Sequence, residues 1–284
     1  MMNSEADIHE VYPNAPLALV VVEVRFPGAA AVGGRPPSVT LQRAFRDLLG
    51  PHWVLESRKT QKVEIALGPG GAIAQPAQSQ IVSRFTVRDR TRAVAITDES
   101  VTIETTAYTH YPVFRATLEK AIAAAAEVLL PDGITRIGMR YINEVRVGGI
   151  DETDPSAWSE WVEPSLLAPG LTQMKGDGFP PTAWEGAAQY QTGPDRKLVL
   201  RYGPRSGQML NPAGPLRRPR LAEPGVFFLL DFDSFWEPSD SIPEFVPSEI
   251  IEAGDQLRTP IRTLFDLLVT DKLVGEFRKE PARV

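Results

Sequence analysis

The sequence contains no cysteine. Disulfides, thiolate nucleophiles, cysteine-ligated zinc and iron–sulfur clusters are excluded with it. Histidine is scarce too: His9, His52 and His110 lie far apart, without the spacing of paired metal ligands. Long apolar runs are also missing. Ala15–Val22 and Ala121–Leu130 are too short to span a bilayer, and Glu127 interrupts the second. The opening residues, Met1 to Asp7, are acidic and lack a charged-then-apolar targeting pattern, so the expected location is the cytoplasm, with no membrane association. There is no basic excess: 30 Lys and Arg face 36 Asp and Glu, a formal charge of −6. A general nucleic-acid binder needs the opposite field, so nucleic acid is not an expected partner.

Catalytic motifs fail in the same way. Gly68-Pro69-Gly70-Gly71 lacks the Lys-Ser/Thr of a phosphate loop, and its proline removes an amide donor. Gly33-Gly34 carries no dinucleotide fingerprint, and no serine sits in a nucleophile elbow. No catalytic residue, cofactor or metal ligand is assigned from the sequence, which leans away from an enzyme.

What is present reads as a globular chain. With 284 residues, 43% hydrophobic and 23% charged, it has ample material for a core. Leu17–Phe26 alternates as a strand, with Val20, Val22, Val24 and Phe26 on one face. Ser38 caps an expected helix over Val39–Leu49, ended by Gly50-Pro51. Val54–Leu67, Gln80–Val87, Arg92–Thr97 and Val101–Thr106 read as an antiparallel meander, and Tyr111-Pro112 opens a helix to about Leu130. Ile134–Val147 starts the sequence of elements again. A short helix around Pro155–Val162 follows, then a hairpin of Trp184–Gln191 with Lys197–Tyr202, a strand at Val226–Phe232, and helix from Pro247 to about Arg278 with a kink or restart at Thr259-Pro260. Irregular loops are expected at 164–181 and 203–225.

The expected fold class is therefore α+β: antiparallel sheet in two similar halves, each strand, helix, strands, helix, with the long helices packed on the sheet. The boundaries are a leader over 1–16, a first half over 17–131, a second over 132–279 and a tail over 280–284. This order is similar to helix-over-sheet arrangements such as the TATA-binding-like and helix-grip folds.

Alternation in Ile134–Val147 puts Arg136, Arg140 and Glu144 on one face and Asn143 on the other, while Asp231 and Asp233 share one face of their strand. Charges within strands this apolar need Arg–carboxylate partners. Two readings follow: an ion-pair network fixing strand register, or a polar pocket gripping an anionic or polar ligand through Arg136, Arg140, Asn143, Glu144, Asp231 and Asp233. Two basic patches are weaker candidates for touching a phosphate backbone. One is Arg84, Arg88, Arg90 and Arg92 around a hairpin turn, and the other is Arg217, Arg218 and Arg220 in a proline-rich loop.

Several segments together resemble a sporadically distributed bacterial family of roughly this length: Tyr12 to Leu17, Glu23-Val24-Arg25-Phe26, Tyr108 to Phe114, Arg136-Ile137-Gly138-Met139-Arg140-Tyr141-Ile142-Asn143, Leu230-Asp231-Phe232-Asp233 and the Phe265 to Phe277 tail. The family has no established activity, and its scattered occurrence implies an accessory or defence context. The leading expectation is a non-catalytic binding or interaction module acting through a partner protein. The alternative is a pocket protein holding a small apolar or anionic ligand between helix and sheet. An enzyme of unrecognised type, with dispersed active-site residues, comes third.

Overall fold

The structure is a computed structural model describing residues 11–31, 37–62, 65–68, 71–74, 78–151, 155–167, 184–211, 214–219 and 223–280. Its frame is a nine-stranded sheet in which every neighbouring pair runs antiparallel. In chain order the strands and helices are β1 (Leu17–Arg25), α1 (Val39–Leu49), β2 (Trp53–Lys62), β3 (Ile65–Gly68), β4 (Gly71–Ala74), β5 (Gln78–Val87), β6 (Arg92–Ile96), β7 (Ser100–Thr105), α2 (Tyr111–Leu129), β8 (Arg136–Val145), β9 (Gly186–Gly193), β10 (Arg196–Gly207), β11 (Gly225–Trp236), α3 (Pro247–Leu268) and α4 (Asp271–Arg278). A 3-10 turn, Pro155–Glu160, stands where a short helix over Pro155–Val162 is expected, and a second, Pro164–Leu167, opens the stretch expected as an irregular loop. Across the sheet the order is β2-β5-β6-β7-β1-β8-β11-β10-β9, and β3 and β4 form a separate hairpin.

The centre of the sheet is the pair β1 and β8, with Val22 opposite Met139 and Val24 opposite Ile137. Period-two alternation explains its two faces. Val20, Val22 and Val24 of β1, Ile137 and Met139 of β8, and Phe228, Leu230 and Phe232 of β11 turn to one side and join a continuous core with the helices. α2 supplies Leu118, Ala121, Ile122 and Ala125 to that core, and α3 supplies Ile250, Leu257 and Ile261. The alanines keep the helix surface low, so α2 settles close to the sheet and to α1. The opposite face carries the charged residues of β1, β8 and β11, with a small apolar cluster of Ile142, Phe227 and Leu229 against Leu19 and Met209.

The helix ends follow local chemistry. The Ser38 hydroxyl accepts the Leu41 amide at 3.2 Å, and Gly50 ends α1 at φ 111°. α2 starts at Tyr111-Pro112 without a side-chain cap and stops at Leu130, which is left-handed at φ 51°. α3 runs unbroken through Pro260, contrary to the expected restart. Its apolar stripe stays buried on both sides of the proline, and the Thr259 hydroxyl donates to the Asp255 carbonyl while that of Thr263 donates to Thr259. Thr270 then caps α4 through the Leu273 amide.

β10 and β11 are longer than the alternation alone suggests. β10 continues into the expected loop as far as Gly207, bending at Gly203 (φ 146°), where a Cβ would strike the Trp184 carbonyl. Pairing with β9 ends at Tyr202, so Pro204 sits on a free edge where a missing amide proton is tolerated. β11 extends through Asp233 and Ser234 to Trp236, held between β8 and β10. Gly33-Gly34, Pro69-Gly70 and most of the 164–181 loop lie outside the described residues.

Candidate functional site

The charged residues singled out in β8 and β11 form a paired lattice on the face away from the helices. Arg140 donates to Asp231 through Nε at 2.7 Å and Nη2 at 2.6 Å, a bidentate pair in which Asp231 is 2% exposed. Those hydrogen bonds hold the Arg140 guanidinium above its usual pKa. Arg136 lies across Gly138, which has no side chain to block it, and reaches Glu23, Asp233 and Glu237, each at 3.3 Å. Its guanidinium also stacks over the Phe235 ring at 4.8 Å. Buried Glu144 lies between Arg146 and Arg218, with the Arg218 contact at 2.8 Å. Burial pulls the Arg218 pKa below its usual value, and Glu144 opposes that.

The two basic patches converge, which the sequence does not reveal. The Arg217 amide donates to the Arg90 carbonyl at 2.8 Å, and the Thr106 hydroxyl donates to the Arg217 carbonyl. Three of the charges are ion-paired, Arg84 with Glu104, Arg90 with Glu56, and Arg218 with Glu144, while Arg217 is exposed. Arg88 is exposed, and Arg220 lies outside the described residues.

The most distinctive feature is on the other side of the sheet. A cavity of about 1090 Å³, open to solvent, lies between residues 11–17, the β7–α2 connection, the first turn of α2, the centre of β8 and the middle of α3. Four of the six tyrosines in the chain line it: Tyr12, Tyr108, Tyr111 and Tyr141. Such convergence marks the cavity as aromatic. Tyr108 meets Tyr141 edge-on at 5.7 Å, and the Tyr141 hydroxyl donates to that of Tyr108 at 3.4 Å. The Tyr111 hydroxyl donates to Asp255 at 2.6 Å, and Arg115 donates to the same carboxylate through Nε at 3.1 Å and Nη2 at 3.1 Å. Arg258 lies over the Tyr111 ring at 4.6 Å. Burial, reinforced by Asp255, pushes the Tyr111 hydroxyl far above its usual pKa; burial and Tyr108 do the same to Tyr141. Both therefore stay protonated hydrogen-bond donors.

The roof is the segment before β1. Asn14 donates its amide to the Phe277 carbonyl at 2.9 Å, Tyr12 packs on the Phe277 ring at 5.6 Å, and the Pro16 carbonyl accepts the Glu144 amide at 2.8 Å. Arg218 and Pro219 close one end.

Of the six ligand candidates in the strands, only Asn143 lines this cavity, donating to the Leu230 carbonyl at 3.1 Å. Arg136, Arg140, Asp231 and Asp233 lie on the far face of the sheet, and Glu144 touches the cavity only through Arg218. Tyr12, Tyr108, Tyr111, Arg115, Asp255, Arg258 and Phe265 were not singled out. The available signal is two Tyr-Pro steps, Tyr12-Pro13 and Tyr111-Pro112, each placing a ring where the chain enters a regular element. Among the described residues no group of three His, Asp or Glu side chains could hold a metal ion, and no helix is long and apolar enough to cross a membrane. No family model and no curated protein matches the sequence, so the functional reading rests on the geometry of this cavity.

Proposed function

We propose that this chain is a non-catalytic binding protein for a small organic ligand, held between the sheet and helices α2 and α3. The observation that carries this reading is the cavity itself. Its size lies just above the usual range of small-molecule sites, and its wall combines aromatic and aliphatic surface with fixed charged groups. The lining supplies protonated tyrosine donors and positioned arginines, which favour recognition over proton transfer. Native mass spectrometry of the protein purified gently from its own host tests the proposal. A bound mass of metabolite size is expected, and Ala107→Trp, which fills the cavity from its wall, abolishes it. A wild-type protein that binds no metabolite-sized species under these conditions argues against the reading.

A specific observation also favours action through a protein partner. β9 ends the sheet, and its sequence Gly186-Ala187-Ala188-Gln189-Tyr190-Gln191-Thr192-Gly193 carries no charge, although exposed edges are normally protected by charge or proline. The partner we favour is a second copy. Antiparallel self-pairing would set Gln189 against Tyr190 and Ala188 against Gln191, with no like charges opposed. Light scattering should then report a dimer that Gln189→Lys dissociates. A monomeric wild type at high concentration would remove this reading.

The strand order supports an internal duplication. Outward from the centre it runs β1-β7-β6-β5-β2 on one side and β8-β11-β10-β9 on the other, so that four strands match and β2 has no counterpart, and each half ends in a long helix, α2 or α3. α1 has the two 3-10 turns as its counterpart. Superposing 17–131 on 132–279 tests this: the four strands and closing helix should coincide in chain order, and a mismatch in strand direction would refute it.

A further inference from the structure

Resting on the pocket reading, we infer that the ligand is a flat ring carrying an amide edge, an N–H beside a C=O. Asn143 accepts the N–H, and the paired hydroxyls of Tyr108 and Tyr141 donate to the C=O. Asn143 is the first reason. It lines the cavity and is only 5% exposed. Its amide nitrogen donates to the carbonyl of Leu230, the residue paired with it in β11. A carbonyl can only accept, so this contact fixes which way the amide points and leaves Oδ1 as an acceptor. Among the described residues no donor meets that oxygen. A covered acceptor in a cavity wall without a protein partner is a place where a ligand N–H gains most.

The tyrosine pair is the second reason. The two hydroxyls stand 3.4 Å apart and share one hydrogen bond. Two O–H groups in one hydrogen bond leave one proton over, whichever of them donates. Among the described residues no other acceptor meets either hydroxyl, and both residues line the cavity. The pair thus offers one donor to whatever the cavity holds. Tyr141 and Asn143 are two residues apart on the same face of β8, with about 7 Å between their Cα atoms. An amide carbonyl and its N–H, each at the end of a hydrogen bond of about 2.9 Å, reach across a span of that order.

The rest of the wall suits the body of such a ligand. Tyr108 and Tyr141 meet edge-on at 5.7 Å, and Leu17, Ile261 and Phe265 add aliphatic and aromatic surface. A plain hydrocarbon would cover that surface but leave the Asn143 oxygen and the tyrosine proton without partners, at a cost for each. A carboxylate or phosphate could take the tyrosine proton, but it would set negative charge against the Asn143 oxygen.

The test uses three aromatic probes in ligand-detected NMR titrations of the full chain: 2-quinolone, its 1-methyl derivative, which lacks the N–H, and naphthalene, which lacks the whole edge. 2-Quinolone should bind about tenfold more tightly than the 1-methyl compound, as expected when a covered acceptor loses its donor. The double variant Tyr108→Phe/Tyr141→Phe keeps both rings, so naphthalene should bind it unchanged while 2-quinolone weakens about tenfold. Ala107→Trp should remove binding of all three. Uridine carries the same edge on a sugar: tighter binding than 2-quinolone identifies the amide-edged ligand as a nucleoside, and weaker binding as a lipophilic lactam. Equal affinities for 2-quinolone and its methyl derivative, or a 2-quinolone affinity untouched by the double variant, would overturn the amide edge while leaving the pocket reading standing. If none of the three aromatic probes binds, the pocket reading falls, and this inference with it.

Discussion

Replacing Arg140 by Met keeps most of the side chain's stem and deletes its charge, which isolates the contribution of the guanidinium. The carboxylate it leaves behind, on Asp231, is 2% exposed and sits in a strand flanked by β8 and β10. Its nearest other cation is Arg201, at 3.9 Å. Breaking a buried pair from one side costs roughly 3–5 kcal/mol, because an unpaired charge stays behind. Arg140 itself is 41% exposed, so water enters the space it leaves, and Arg201 gives partial relief. The lower end, about 3 kcal/mol, is therefore expected. The reverse substitution, Asp231→Leu, leaves a guanidinium that can turn to solvent and should cost only about 1 kcal/mol. The double variant should lie within about 1 kcal/mol of the wild type, since an apolar pair of similar volume replaces the ion pair. Urea denaturation gives the three free energies, and calorimetry should show a loss of about 5 °C for Arg140→Met. Equal costs for the two single substitutions, or a double variant that sums them, would refute this account.

Gly254→Ala should stabilise the protein by about 0.5–1 kcal/mol through helix propensity. The added methyl would meet Leu118 at 3.6 Å and Met139 at 3.8 Å, ordinary contact distances, so a fall in Tm would show that α3 cannot accept it. In a spectrophotometric titration of the folded protein, Tyr111 and Tyr141 should stay protonated at the pH near ~10 at which a free phenol ionises. Their native state favours the protonated form, so their contribution to stability is complete below the unfolded-state value near ~10 and declines as the pH rises above it. All six tyrosines ionising together while the fold persists would contradict this.

β1 and the core of β8 were readable in the sequence because one face of each is buried and the period-two pattern is clean: Val20, Val22 and Val24 in one, Ile137 and Met139 in the other. α1 and α2 were readable from Ser38, Gly50 and Tyr111-Pro112. The apolar run that marks the strand ends at Phe232, although Asp233 reads onto the same strand face as Asp231. In the fold Asp233 turns outward to Arg136 and Ser234 is covered inside. The need for carboxylate partners in β8 was visible, and Arg140–Asp231 answers it. The cavity was not visible, because its wall comes from stretches as distant as Tyr12, Tyr108, Tyr141 and Arg258. No periodicity links side chains that meet only after β1 has paired with β8 and α3 has settled beside α2. Sheet order is equally hidden, since alternation tells which face a residue takes but not which strand lies next to it.

The pairing of β1 with β8 at the middle of the sheet makes each half the edge-cover of the other. A fragment ending before Arg136 would leave one whole side of β1 without hydrogen-bond partners, next to a row of valines, and a fragment starting there would expose β8 in the same way. Each alone is a sticky template prone to aggregation. Made together in one cell, the two pieces carry complementary edges of matched register, so cutting the chain between Pro131 and Thr135 should yield a split protein that reassembles by strand complementation. During synthesis, too, β1 must wait for the second half before its open side is satisfied, which makes chaperone protection of the nascent chain most valuable in that interval.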